Sequence, residues 1–78
     1  MQESPAAVVY DVDLMSQDMA AMGWLPIDLA RKAKVSHRRV GRFFRREFQT
    51  ARTAAKLAKA LGQPIRRYIV SQQQAVAS

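Results

Sequence analysis

Gly23-Trp24-Leu25-Pro26-Ile27-Asp28-Leu29-Ala30-Arg31-Lys32-Ala33-Lys34-Val35-Ser36-His37-Arg38-Arg39-Val40-Gly41-Arg42-Phe43-Phe44 is the stretch that decides the fold. Pro26 suits the first position of a helix, because its missing N–H is not needed there and its φ is already helical. Asp28 places a negative charge in that helix's first turn, where the backbone dipole favours it. Leu29, Ala30 and Ala33 then line one inner face. Ser36 is a good amino-terminal cap for a following helix. Only Lys34 and Val35 lie between the two helices, and so short a turn makes them cross steeply, in helix-turn-helix geometry. The second of the pair is predicted from His37 to Phe44 or Arg45. Val40, Phe43 and Phe44 sit at i, i+3 and i+4 and face inward, leaving His37, Arg38, Arg42 and Arg45 largely on the other side. Gly41 in its interior costs about 1 kcal/mol relative to alanine and leaves room for a neighbouring backbone to approach.

Working outward, a first helix starts near Asp11 or Asp13, either of which can cap it. Its apolar positions are Val12, Met15, Met19 and Met22, and Gly23 ends it. Trp24 is expected to pack between helices one and five. A fourth helix, capped by Thr50, carries Ala54, Leu57, Ala58 and Leu61 at i, i+3, i+4 and i+7, the clearest amphipathic pattern in the chain, and Gly62 closes it. Gln63-Pro64 opens a predicted fifth helix with Ile65, Tyr68 and Ile69 inward and Arg66 and Arg67 outward. Residues 1–10 read as an arm with a weak extended tendency over 6–10. Residues 11–70 form the helical domain, and 71–78 form a flexible tail without periodicity. The predicted class is all-α, with five helices.

Seventy-eight residues are enough for one domain, and the 49% of apolar residues suffice for a small core. Cysteine is absent and His37 is the single histidine, which excludes a disulfide scaffold, a Cys-based zinc site and a four-His site within one chain. The longest apolar run, Pro5 to Tyr10, is far below the roughly 18 residues of a membrane span. Glu3 stands where a signal peptide would carry positive charge, so the sequence reads as a soluble, cytoplasmic protein. No nucleophile–base pair and no glycine-rich phosphate loop is recognisable, and Asp11, Asp13 and Asp28 are explained as helix starts. Neither an enzyme nor a cofactor or metal is expected.

Charge is more informative. The formal net charge is +7, but residues 1–30 hold five acids and no Lys or Arg, while residues 31–78 hold all thirteen bases and one acid, Glu47. Five arginines fall between His37 and Arg46 with no acid among them. A solvated face would mix its charges, since like charges at i,i+4 repel. The asymmetry points to an anionic partner.

From Gly23 to Phe44 the sequence resembles the helix-turn-helix of the lambda repressor and Cro family, the Xre-like regulators. Ala55-Lys56-Leu57-Ala58-Lys59-Ala60-Leu61-Gly62 is similar to that family's fourth helix and Pro64 to Ile69 to its fifth, so the likeness spans about residues 11–70. Leu29 and Ala30, Val35 at the turn, and Val40 and Phe43 are the structural marks. The resemblance implies base-reading side chains at His37, Arg38 and Arg42, with Arg39 as a further contact to base or phosphate. It implies phosphate contacts from Ser36, Lys34, Arg45 and Arg46, and from helix-two amides near Pro26 and Ile27. An arginine fork can bond guanine O6 and N7 together, and a major groove admits one helix. Three departures stand out. Lys34 occupies a turn position where the family often has glycine, so a positive φ there would strain it by about 1 kcal/mol. Pro26 replaces a phosphate-binding glutamine. The amino-terminal arm is acidic and apolar, suited to packing on protein.

The expected function is that of a short double-stranded DNA-binding regulator, such as a Cro-like or mobile-element repressor. It would act as a homodimer through the C-terminal helix and the N-terminal arm, and be nucleoid-associated when bound. A basic interaction module or antitoxin-like partner docking an acidic protein is the rival. RNA binding is weaker, because no aromatic-studded sheet is present to stack bases.

Overall fold

A computed structural model describes residues 8–70. Four helices make up most of it: α1 (Val12–Ala21), α2 (Pro26–Ala33), α3 (His37–Phe44) and α4 (Ala51–Ala60). A 3-10 turn over Ile65–Tyr68 follows α4. Strand β1 (Val9–Tyr10) pairs antiparallel with β2 (Ile69–Val70), Val9 opposite Val70 and Tyr10 opposite Ile69. The described residues are therefore mostly helical with one small sheet. Most of the expected arm (1–7) and all of the expected tail (71–78) lie outside the described residues.

The helix starts follow from their caps. The Leu14 N–H donates to Asp11 Oδ1 at 2.9 Å, which selects Asp11 over Asp13. The Arg39 N–H donates to Ser36 Oγ and the Thr53 N–H to Thr50 Oγ1, both at 3.1 Å. Pro26 opens α2, and the Leu25 N–H donates to Asp28 Oδ2 at 2.8 Å.

All four helices end alike, with one left-handed residue and an amide that reaches back past it. Gly23 (φ 77°) and Gly62 (φ 74°) do this for α1 and α4. Lys34 (φ 60°) does it for α2, with the Val35 N–H bonded to the Ala30 carbonyl at 3.0 Å. Arg46 (φ 63°) does it after α3, with the Glu47 N–H bonded to the Arg42 carbonyl at 2.9 Å. The positive φ expected at Lys34 is present. The one at Arg46 had no glycine to announce it.

The expected fifth helix does not form. After the single 3-10 turn the β-branched Ile69 and Val70 continue extended, as such side chains prefer. The Asp11 N–H donates to the Tyr68 carbonyl at 2.6 Å, tying this segment to the start of α1. Ile69, expected inward, is 38% exposed in the strand that replaces the helix, while its cross-strand partner Tyr10 is buried. The extended tendency read over 6–10 is realised at Val9–Tyr10.

Leu29, Ala30, Val40, Phe43, Ala54, Leu57, Ala58 and Leu61 form the core between α2, α3 and α4, joined by Val12, Met15, Met19, Tyr10 and Tyr68. Ala33 is buried with them, while Val35 and Phe44 are half-buried against them. Met22 departs from the reading at 49% exposed, because α1 stops at Ala21 and the chain turns at Gly23. Trp24 is half-buried, with Lys32 Nζ 5.7 Å from its ring centroid. It stands beside α2, since there is no fifth helix to enclose it.

Asp18 on α1 links the two ends of the domain. Arg67 donates to both carboxylate oxygens, Nε to Oδ2 at 2.8 Å and Nη2 to Oδ1 at 3.0 Å, and the buried Tyr68 hydroxyl donates to Oδ2. Arg67, expected outward, is thus committed to Asp18. Its hydrogen bonds hold the Asp18 carboxyl below its ordinary range, and Tyr68 adds to this. Burial, followed by the Asp18 hydrogen bond, pushes Tyr68 up to about 12.

Two stability predictions follow from these contacts. Lys34→Gly should raise unfolding free energy by about 0.5–1 kcal/mol in urea titration, because glycine relieves the left-handed backbone. Asp18→Asn should cost about 1–2 kcal/mol at neutral pH, the pair being partly solvated. Because the folded pKa of Asp18 is lowered, its contribution is complete above the unfolded value near 3.9 and is lost as pH falls through the folded one. Melting curves of parent and variant should therefore converge in acid. A gap that persists unchanged at about pH 2 would contradict the role given to the carboxylate.

Candidate nucleic-acid interface

The rotation of α3 is set by what it buries. Val40 and Phe43 are both fully enclosed, and the Phe43 ring lies 5.4 Å from that of Tyr10 on β1. With that side fixed inward, His37, Arg38, Arg39 and Arg42 are all exposed, and Arg38, Arg39 and Arg42 line one outer surface. Three of the four side chains expected to read bases are thus brought together, and His37 stands apart from Arg39 at the first turn of the helix. Ser36 stands beside the three arginines, its oxygen occupied by the Arg39 N–H and its hydroxyl proton free to donate.

Phe48, just beyond the end of α3, is not among the residues the sequence singles out. Its ring is 43% exposed, and the Arg42 and Arg39 guanidiniums lie 5.7 and 5.9 Å from its centroid. Both distances are within cation–π range. Ser36, Arg38, Arg39, Arg42 and Phe48 line a shallow concavity of about 210 Å³. A large aromatic in a polar loop four residues after Phe44 was the available signal.

Glu47, the one acid of the basic segment, lies in the same surface. Arg45 Nε donates to Glu47 Oε2 at 2.8 Å and Arg45 Nη2 to Oε1 at 3.3 Å, while Arg42 Nε lies 3.9 Å from Oε1. Arg45 holds the Glu47 carboxyl below its ordinary range, and Glu47 in turn raises Arg45. The Arg45 guanidinium, expected to be available to phosphate, is therefore paired. Arg46 and Lys34 are exposed and have no carboxylate within 4.0 Å among the described residues.

The amino end of α2 differs from expectation. Pro26 has no N–H to offer, and the Leu25 N–H is held by Asp28, whose carboxylate also lies 3.7 Å from Arg31. Negative charge therefore stands where phosphate was expected near Pro26 and Ile27. Among the described residues no neighbouring backbone approaches Gly41: a Cβ there would meet the flexible Arg45 guanidinium, at 3.2 Å.

Among the described residues, no group of three or more His, Cys, Asp and Glu is placed to hold a metal ion, and no helix is long and apolar enough to cross a membrane. No family model, no curated protein and no solved structure matches the chain.

Glu47→Gln removes the carboxylate from this surface and frees the Arg45 guanidinium. The variant should elute from a heparin column at distinctly higher salt than the parent, by more than one charge on an unrelated surface would give. Equal elution would place Glu47 and its arginines outside the anion-binding face.

Proposed function

We propose that the chain is a sequence-specific double-stranded DNA-binding regulator, a short repressor of the lambda repressor/Cro type, in which α2 and α3 form the helix-turn-helix. The observation that carries this reading is the segregation on α3. Val40 and Phe43 commit one side to the core, and the outer surface presents Arg38, Arg39 and Arg42 together, with His37 exposed at its amino end. An arginine-rich helix so exposed fits a major groove and can bond base edges bidentately. Arg38 and Arg42 are assigned to bases, with His37 and Arg39 beside them, while Ser36, Lys34 and Arg46 contact phosphate. Arg45 joins them when phosphate displaces Glu47.

The backbone supports the same reading. Two of the four left-handed helix ends use Lys34 and Arg46 where glycine would cost less, and both are exposed cations. Strain kept in this way at a surface cation is expected where the cation is needed.

A two-fold dimer would place two α3 helices in successive major grooves about one helical turn apart. Val8, Val9, Ile69 and Val70, each 38–45% exposed around the small sheet, are the apolar surface available for that contact. It replaces the C-terminal helix first expected there. The protein acts without a cofactor, on DNA in the cytoplasm.

Paired variants test the assignment. Arg42→Ala should relax preference at one base position and weaken the selected site by about 1–3 kcal/mol. Arg46→Gly, which also relieves its backbone, should weaken every duplex alike and lower the salt slope by about 1. If both variants weaken all sequences equally, α3 does not read bases.

A further inference from the structure

The chain contains four lysines, Lys32, Lys34, Lys56 and Lys59, and all four line one concavity of about 500 Å³ between the carboxyl end of α2 and the outer side of α4. Its remaining walls are Ala33 and Ala60. None of the four has a carboxylate within 4.0 Å among the described residues. Lys32, Lys34 and Lys59 sit in or at the last turns of their helices, where the dipole favours a cation. That accounts for three positions taken singly, but not for Lys56, nor for the convergence of all four on one groove without a counter-charge. The groove is also continuous with the α3 surface. Lys34 and Lys56 line an adjoining concavity with Arg39, Arg52 and Ser36, and Ser36 and Arg39 in turn line the one containing Arg42 and Phe48. On α4, Arg52, Lys56 and Lys59 recur at i, i+4 and i+7, about 6 and 10 Å along the axis from Arg52.

We infer that this lysine groove binds the sugar–phosphate backbone of DNA flanking the segment held by α3. The inference rests on the DNA-binding reading above and extends its footprint. The residue chemistry divides the labour. The outer side of α3 carries arginines, whose planar fork suits base edges, whereas the groove carries lysines, compact point charges that neutralise phosphate without reading sequence. A cationic path from Arg39 through Arg52 and Lys56 to Lys59 fits one continuous phosphate strand beside the bases assigned to Arg42. An acidic protein would be an alternative occupant of the groove alone, but the path gives it no reason to reach α3.

The test is a triple variant, Lys32→Gln/Lys56→Gln/Lys59→Gln, which keeps helix propensity and leaves the turn residue Lys34 in place. Melting confirms that it folds as the parent does. Binding of parent and variant is then measured by fluorescence anisotropy on random-sequence duplexes of about 12 and about 30 base pairs, between about 50 and 200 mM salt. On the longer duplex the loss of affinity across that range should shrink by about 3.5-fold for each phosphate contact removed, or about 40-fold for three. On the shorter duplex the two proteins should behave alike, and arginine at the three positions should restore the parent's slope.

Indistinguishable slopes on the longer duplex would overturn this inference while leaving the DNA-binding reading intact. So would an equal change on both duplexes, since the groove would then not reach flanking DNA. Unchanged DNA binding with lost binding to poly-glutamate would assign the groove to an acidic protein. A parent that binds neither duplex would overturn both readings together.

Discussion

Three residues, Lys34, Val35 and Ser36, separate α2 from α3, and the rest of the molecule depends on how they reverse the chain. Lys34 takes the left-handed conformation, Val35 sends its amide back to Ala30, and Ser36 caps α3 through the Arg39 N–H. Little slack remains, so the crossing of the two helices is set by how closely Leu29, Ala30, Val40 and Phe43 can pack. Tyr10, brought in by the small sheet, stacks on Phe43 and closes the same core from the other end of the chain. The outer side of α3 is the consequence. Its cations are held outward because the inner side has no freedom to rotate.

The charge asymmetry of the sequence takes on a sharper meaning in the fold. The acids are largely consumed in structural work: Asp11 caps α1, Asp18 clamps Arg67 and Tyr68, Asp28 caps α2, and Glu47 restrains Arg45. Asp11, Asp18 and Asp28 act at the edges of the domain, and Glu47 alone lies within the basic surface, beside Arg45 and Arg42. Electrostatic attraction from such a surface raises association rates with a polyanion and falls off with salt. The clamp at Asp18 has a second consequence. It joins residues from opposite ends of the sequence, and Tyr68, pushed up to about 12 by its burial, keeps its hydroxyl proton for that bond well above neutral pH.

Much of this was legible beforehand because it is written in short-range signals. Caps at Asp11, Ser36 and Thr50, the proline opening α2, and the apolar spacing of α2, α3 and α4 all depend on residues within one or two turns. What escaped depends on contacts distant in sequence or on backbone forms that leave no mark. The last segment has helical spacing over Ile65, Tyr68 and Ile69, yet pairing with Val9–Tyr10 and the bond from Asp11 to Tyr68 draw it into a strand. Arg67 reads as a free surface cation until α1 brings Asp18 beside it. At the candidate site Arg39 comes only from the family resemblance, whereas His37, Arg38 and Arg42 could be placed outward from periodicity. Phe48 and the Glu47–Arg45 pair could not, because they lie beyond the helix and are folded back on it by the left-handed turn at Arg46.

The most direct measurement is selection of bound molecules from a random duplex DNA pool at about physiological salt, followed by sequencing of what the protein retains. A regulator that reads bases with α3 as a two-fold dimer should enrich an inverted repeat with half-sites about one helical turn apart. A retained pool with no sequence enrichment would contradict base reading by α3 and reduce its arginines to a charge-driven surface.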